Sequence, residues 1–205
     1  MLDLAGKTLL ERVVLQARRS NLLDEIWVAT STDKEDDVIE NHAVEYGYNI
    51  FRGPKDDVLK RFCLCIEKTN AQIVVRVTAD NPLTEVKFIE FGIAYILFAG
   101  CDYVGFKNIP YGSGVEIVKS DALLMADRLA TSSNDREHVT PYLLSHRNDF
   151  NVHIIEAPWD ELARPDIRAT IDTMEDYLRL KEFFSFGQQK DSLTDYINFI
   201  DQSKK

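Results

Sequence analysis

From residue 7 to residue 98 the hydrophobic pattern switches repeatedly between helical and strand period, and few folds accept that rhythm. Residues 7–19 put Leu9, Leu10, Val13, Val14 and Ala17 on one helical stripe. Residues 24–30 carry the short apolar run Ile26-Trp27-Val28-Ala29. Residues 33–46 read as a helix, capped by Thr32 or Asp33 and ended by Gly47 at the position that favours glycine. A strand over 48–51, a helix over 55–68 after Pro54, a strand over 73–77 and a helix over 87–98 follow. This alternation predicts an α/β fold with a mixed, mostly parallel sheet covered on both faces.

The second half is less regular. Tyr103-Val104 and residues 115–118 read as strands around the loop Ile109-Pro110-Tyr111-Gly112-Ser113-Gly114. Residues 121–129 and 137–145 read as helices, 151–156 and 167–171 as strands, and 174–186 and 193–200 as closing helices. The 205 residues are 45% hydrophobic, which suits one globular domain over 1–205 with a full core.

Two of the expected strands end in aspartate. One runs Ile73-Val74-Val75-Arg76-Val77-Thr78-Ala79-Asp80-Asn81-Pro82, the other Ile167-Arg168-Ala169-Thr170-Ile171-Asp172-Thr173-Met174-Glu175-Asp176. Ligands of open α/β sheets bind beyond the carboxyl ends of the strands. Two carboxylates there can share one hard cation that in turn holds nucleotide phosphates. The structural alternatives are a turn aspartate before Asn-Pro and a helix N-cap at Asp172 with Glu175 three residues on. Strand alternation places Arg76, Thr78 and Asp80 on one face, so Arg76 either leans toward the phosphates or sits in a salt bridge.

The net charge of −10 argues against a broad nucleic-acid or anionic-membrane surface. Cys63, Cys65 and Cys101 have no metal spacing and read as free thiols of a reducing compartment. The longest uncharged stretch, 91–101, is too short to span a bilayer, and no signal peptide is visible. The expectation is a soluble cytoplasmic protein with a small-molecule ligand and neither nucleic acid nor membrane as partner.

Several motifs carry a family resemblance. They are Leu4-Ala5-Gly6-Lys7-Thr8-Leu9-Leu10-Glu11, Ala29-Thr30-Ser31-Thr32-Asp33, Phe51-Arg52-Gly53 and Asp57-Val58-Leu59-Lys60-Arg61-Phe62. Further along come Arg76-Val77-Thr78-Ala79-Asp80-Asn81-Pro82-Leu83, Arg136-Glu137-His138-Val139-Thr140-Pro141-Tyr142 and Ile171-Asp172-Thr173-Met174-Glu175-Asp176. In this order, from about residue 4 to about residue 180, the chain resembles the cytidylyltransferases, most of all the spore-coat polysaccharide biosynthesis branch. The resemblance implies a three-layer α/β/α sandwich of the nucleotide-diphospho-sugar transferase type, Mg²⁺, and a homodimer. It also implies transfer of CMP from CTP to a sugar or sugar acid, with release of pyrophosphate, for polysaccharide or glycan synthesis. It makes Asp80 and Asp172 the metal ligands and, with Arg76, the catalytic set. Thr30, Ser31, Lys7 and Asn81 become the nucleotide-binding residues, although Thr30 and Ser31 also suit a helix cap and Lys7 a helix start. Asn134 with Glu137 resembles a capping box ahead of a helix.

Members of the family begin with a strand and a phosphate-wrapping loop of the type Gln-Ala-Arg-Met-Gly-Ser-Thr-Arg-Leu-Pro-Gly-Lys, and this sequence opens after that point. The expectation is that the chain written from Met1 turns over CTP poorly. Two other readings remain open: a non-catalytic dimerising or sugar-binding relative, and a nucleotide-sugar glycosyltransferase. The dimer is expected through residues 108–142, where Tyr111 and Tyr142 lie, with Trp159 as a further aromatic in this half.

Overall fold

The first apolar stripe becomes helix α1 (Leu9–Ala17), which starts where Thr8 and Glu11 exchange hydrogen bonds in a capping box. In the computed structural model, which describes residues 1–186 and 191–203, eight further helices follow. These are α2 (Asp37–Glu45), α3 (Val58–Thr69), α4 (Val86–Ala99), α5 (Ser120–Leu129), α6 (Ser133–His138), α7 (Pro141–Ser145), α8 (Met174–Ser185) and α9 (Leu193–Ser203). Six strands run between them: β1 (Trp27–Ser31), β2 (Asn49–Gly53), β3 (Ile73–Arg76), β4 (Tyr103–Lys107), β5 (Glu116–Lys119) and β6 (Val152–Glu156).

The strands form two sheets. β1 and β2 pair in parallel, and a second sheet has the order β3-β5-β4-β6. β4 and β6 are parallel, but β5 runs antiparallel to both β3 and β4. The expected parallel character therefore holds for two of the four ladders. The reason is the connection from β4 to β5, a loop without a crossover helix, which returns the chain antiparallel.

Period-2 alternation divides the core into the layers above and below the second sheet. Ile73 and Val75 of β3, Val104 and Phe106 of β4, Ile117 of β5 and Ile155 of β6 join a cluster with Phe88, Ile89 and Ile96 of α4 and with α8 and α9. Their neighbours Val74, Tyr103, Val118, Val152 and Ile154 face the opposite cluster, built on Leu59, Cys63 and Ile66 of α3 and Leu123 and Ala126 of α5. The same helices cover both sheets. Lys68 of α3 lies over the rings of Trp27 in β1 and Phe51 in β2, while Ile26, just before β1, packs into the α4 cluster.

Three local expectations need correction. Residues 167–171 form no ladder strand: the Ile167 carbonyl and the Ala169 amide bond Tyr111 and the Ile171 amide bonds Asp80, leaving one isolated bridge between Tyr111 and Arg168. The expected helix over 137–145 is two helices, α6 and α7, broken at buried Val139. There φ is 75° and Thr140 N–H bonds the His138 carbonyl, a tight turn that is unusual for a β-branched residue. The cap of α6 is Ser132, which accepts from Asp135 N–H, so the expected Asn134–Glu137 box is not used.

Candidate functional site

Beyond the end of β3 the chain turns at Thr78–Asn81, where Asn81 Nδ2 donates to Thr78 Oγ1 at 2.7 Å. The Asp80 carbonyl accepts from Ile171 N–H at 3.0 Å, and this bond docks the 167–172 segment against the turn. Asp80 and Asp172 thereby reach one cavity of about 730 Å³, although neither directly ends a ladder strand. Arg76, Thr78 and Asn81 line it as well; the strand ends at Arg76, and the turn rather than strand alternation brings Asp80 and Asn81 there.

The opposite wall is the loop of residues 108–114 with β4 and β5. Gly112, at φ +85°, lets this loop approach closely: a Cβ there would stand 2.5 Å from Thr170 Cβ and 2.8 Å from Asn81 Oδ1. Tyr111 ties the loop to the other wall, bonding Ile167 and Ala169 through its backbone at 2.9 and 2.7 Å.

Glu116 organises the floor. Its Oε2 accepts from Arg76 Nη1 at 2.6 Å, and its Oε1 accepts from the hydroxyls of Tyr103 and Thr140, each at 2.7 Å. Burial, followed by the Glu116 charge, pushes the Tyr103 hydroxyl up, so it stays a neutral donor. Arg76 thus lines the cavity while held in the salt bridge that was one of its two expected roles.

The carboxylates differ in their partners. Asp80 Oδ1 is buried and has no hydrogen-bond partner. Asp172 is exposed and accepts from Arg168 Nη2 at 2.7 Å. The expected N-cap at Asp172 falls one residue away: Thr173 caps α8 and Asp176 closes the box. Among the described residues no group of three or more His, Cys, Asp or Glu is arranged to hold a metal ion. A two-carboxylate donor set with an orphaned buried oxygen suits a hard cation that completes its shell with water and substrate phosphates.

Thr30, Ser31 and Lys7 do not line this cavity. Thr30 and Ser31 end β1, buried, with the Thr30 hydroxyl and the Ser31 amide both donating to Asp36 Oδ2 at 2.7 and 2.9 Å. The Ser31 side chain foremost, then the Thr30 hydroxyl and the Ser31 amide, hold the Asp36 carboxyl below its ordinary range despite burial. Lys7 is exposed and pairs with Glu11 at 3.3 Å. Arg136 ties α6 to Asp57 and Asp127, while His138 beside it lines the cavity. Sequence reasoning missed Glu116, Tyr103 and Arg168, since nothing local marks them. It also missed that Asp176, quoted within a motif, is the buried member of its pair of acids.

Comparisons with known proteins bear on the family and the fold. A family model described as cytidylyltransferase matches residues 1–204. The chain is 37% identical to the uncharacterized protein MJ1063 of Methanocaldococcus jannaschii, over 99% of its own length and 84% of the relative's. It is 31% identical to the spore coat polysaccharide biosynthesis protein SpsF of Bacillus subtilis, over 98% and 86%. A solved cytidylyltransferase from Leptospira borgpetersenii superposes with a TM-score of 0.90 at 26% identity, covering 99% of this chain and 87% of that one. CMP:2-keto-3-deoxy-manno-octonic acid synthetase, solved in complex with CTP, shares the fold at a TM-score of 0.68 and 14% identity, over 90% of each chain. By its matched length, its relatives and its architecture, this chain belongs to the cytidylyltransferase family.

Proposed function

We propose that this chain transfers CMP from CTP to a hydroxyl of a sugar or sugar acid, with Mg²⁺, in the synthesis of a surface polysaccharide or glycan. The acceptor hydroxyl gives up its proton to solvent, its oxygen forms a bond to the α-phosphorus while the bond to the bridging oxygen breaks, and pyrophosphate leaves. The observation that supports this most is the buried, unpartnered Oδ1 of Asp80 in a cavity shared with Asp172 and Arg76. A preorganised anionic oxygen with no internal partner is costly to keep unless a cation completes it.

Asp80 and Asp172 would hold the Mg²⁺. When bound, the ion polarises the phosphoryl group and neutralises charge that develops on its oxygens. Arg76, fixed by Glu116, presents a guanidinium whose fork suits phosphate oxygens. The 108–114 loop and Phe106 line the rest of this open cavity. The chain works as a homodimer through residues 108–142, a reading supported by Tyr111, which is 59% exposed.

Titration calorimetry with CTP and Mg²⁺ tests the nucleotide assignment. CTP is expected to bind in preference to ATP and GTP, and Asp80→Asn to weaken it at least tenfold. Pyrophosphate release with a panel of sugars and sugar acids follows the chemistry, and any turnover should fall by about 10²–10³ in Asp80→Asn. Equal binding of all three nucleotides, or an Asp80→Asn variant that binds as the parent does, would overturn the assignment. A sedimentation profile showing only monomer at micromolar concentration would remove the dimer.

A further inference from the structure

The two carboxylates assigned to the cation are not equally free, and the difference lies in Arg168. Its Nη2 donates to Oδ2 of the cavity-lining Asp172 at 2.7 Å. The same Nη2 and Nε also reach the two oxygens of Asp176, each at the longer distance of 3.3 Å. The Asp176 side chain is 3% exposed and is held in addition by Arg179 and by the Thr173 hydroxyl. The Tyr111 ring lies 4.8 Å from the Arg168 guanidinium carbon, and the Arg168 carbonyl accepts from the Tyr196 hydroxyl of α9 at 2.9 Å. The guanidinium therefore has a buried, fixed partner in Asp176 and an exposed, exchangeable one in Asp172.

A divalent ion at Asp172 would sit within a few ångströms of this positive charge, and like charges that close repel unless anions lie between them. We propose that Arg168 is a built-in counter-cation: it occupies Asp172 in the empty site and yields it only when a divalent ion arrives with nucleotide phosphates. Asp176 and Tyr111 keep the guanidinium in place after the exchange. The freed donor then faces the added phosphate charge. Arg168 is thus a positioning residue that couples cation binding to nucleotide binding and discourages the bare ion. The coupling is reciprocal: each ligand raises the affinity of the other by the same factor. The proposal rests on the cation reading of Asp80 and Asp172.

The test is Mn²⁺ binding to the full chain, followed by electron paramagnetic resonance with and without CTP. Arg168→Gln should tighten nucleotide-free Mn²⁺ binding by roughly two- to fivefold, the range in which an exposed ion pair competes. It should also shrink the ratio of Mn²⁺ affinities with and without CTP. Arg168→Lys keeps the charge and should stay near the parent in nucleotide-free Mn²⁺ affinity. Tyr111→Ala removes the ring over the guanidinium, can keep the backbone bonds to Ile167 and Ala169, and should give an intermediate tightening. If Asp80→Asn weakens Mn²⁺ binding while Arg168→Gln and Tyr111→Ala leave it unchanged or weaker, the counter-cation role is refuted and the cation site stands. If Asp80→Asn has no effect on Mn²⁺, the cation site fails and the role of Arg168 falls with it.

Discussion

Replacing Asp176 by Asn should expose how strongly the second wall of the cavity depends on one buried charge. Burial alone would raise the Asp176 carboxyl, but hydrogen bonds from Arg168, Thr173, the Asp172 amide and Arg179 outweigh it and hold the group at about 2. The ordinary value is 3.8. Each tenfold change in proton affinity corresponds to about 1.4 kcal/mol, so the ionised carboxylate contributes about 2 kcal/mol to stability at neutral pH. The folded value lies below the unfolded one. The contribution is therefore complete above about pH 5, begins to fall near the unfolded value and is lost as pH drops through about 2. By pH 3 roughly half should be gone. Urea unfolding of parent and Asp176→Asn at pH 7 and pH 3 separates this electrostatic part from any packing defect. The expected gap is about 2 kcal/mol at pH 7, or roughly 4–8 °C in Tm for a chain of this size, narrowing by about 1 kcal/mol at pH 3. A gap of the same size at both pH values would show that shape, not charge, makes Asp176 matter. A gap below about 0.5 kcal/mol at pH 7 would refute the reasoning outright.

Two further outcomes follow from local geometry. Gly112→Ala adds a Cβ at φ +85° against Thr170 and Asn81, so the loop must lift; we expect a loss of about 2 kcal/mol in thermal unfolding, and a parent-like Tm would contradict the close approach. Burial, then the Asp127 charge, pushes the Cys63 thiol up to about 12, so it should resist a thiol reagent at pH 8 until urea unfolds the chain, and peptide mapping that finds native Cys63 labelled would contradict its burial.

Much of the fold was legible because it depends on period. The alternation of Ile73, Val74 and Val75 between two clusters, and the stripe of α1, are consequences of side-chain direction that a sequence carries openly. Arg76, Thr78 and Asp80 do share one cavity, but beyond Arg76 a turn and not the strand period brings them there. Partners across long separations were not legible. Glu116 meets Arg76 only through the antiparallel register of β5 on β3, and no residue near either one announces it. Thr30 and Ser31 look like nucleotide donors in sequence, yet both donate to Asp36, whose own use could not be read without the fold.

The boundary of α8 shows how one residue of register decides chemistry. Asp172, Glu175 and Asp176 are three acids within five positions, and the sequence permits a cap at Asp172. A capping aspartate turns its oxygens toward the first amides of the helix and has less to offer a ligand. In the fold Thr173 takes that place, and Asp176, three residues on, accepts from the Thr173 and Asp172 amides while buried beside two arginines. The helix terminus is then satisfied without Asp172, which remains half-exposed at the cavity with a single exchangeable partner. Capping therefore falls to Thr173 and Asp176, and Asp172 stays at the cavity without being used by the helix terminus.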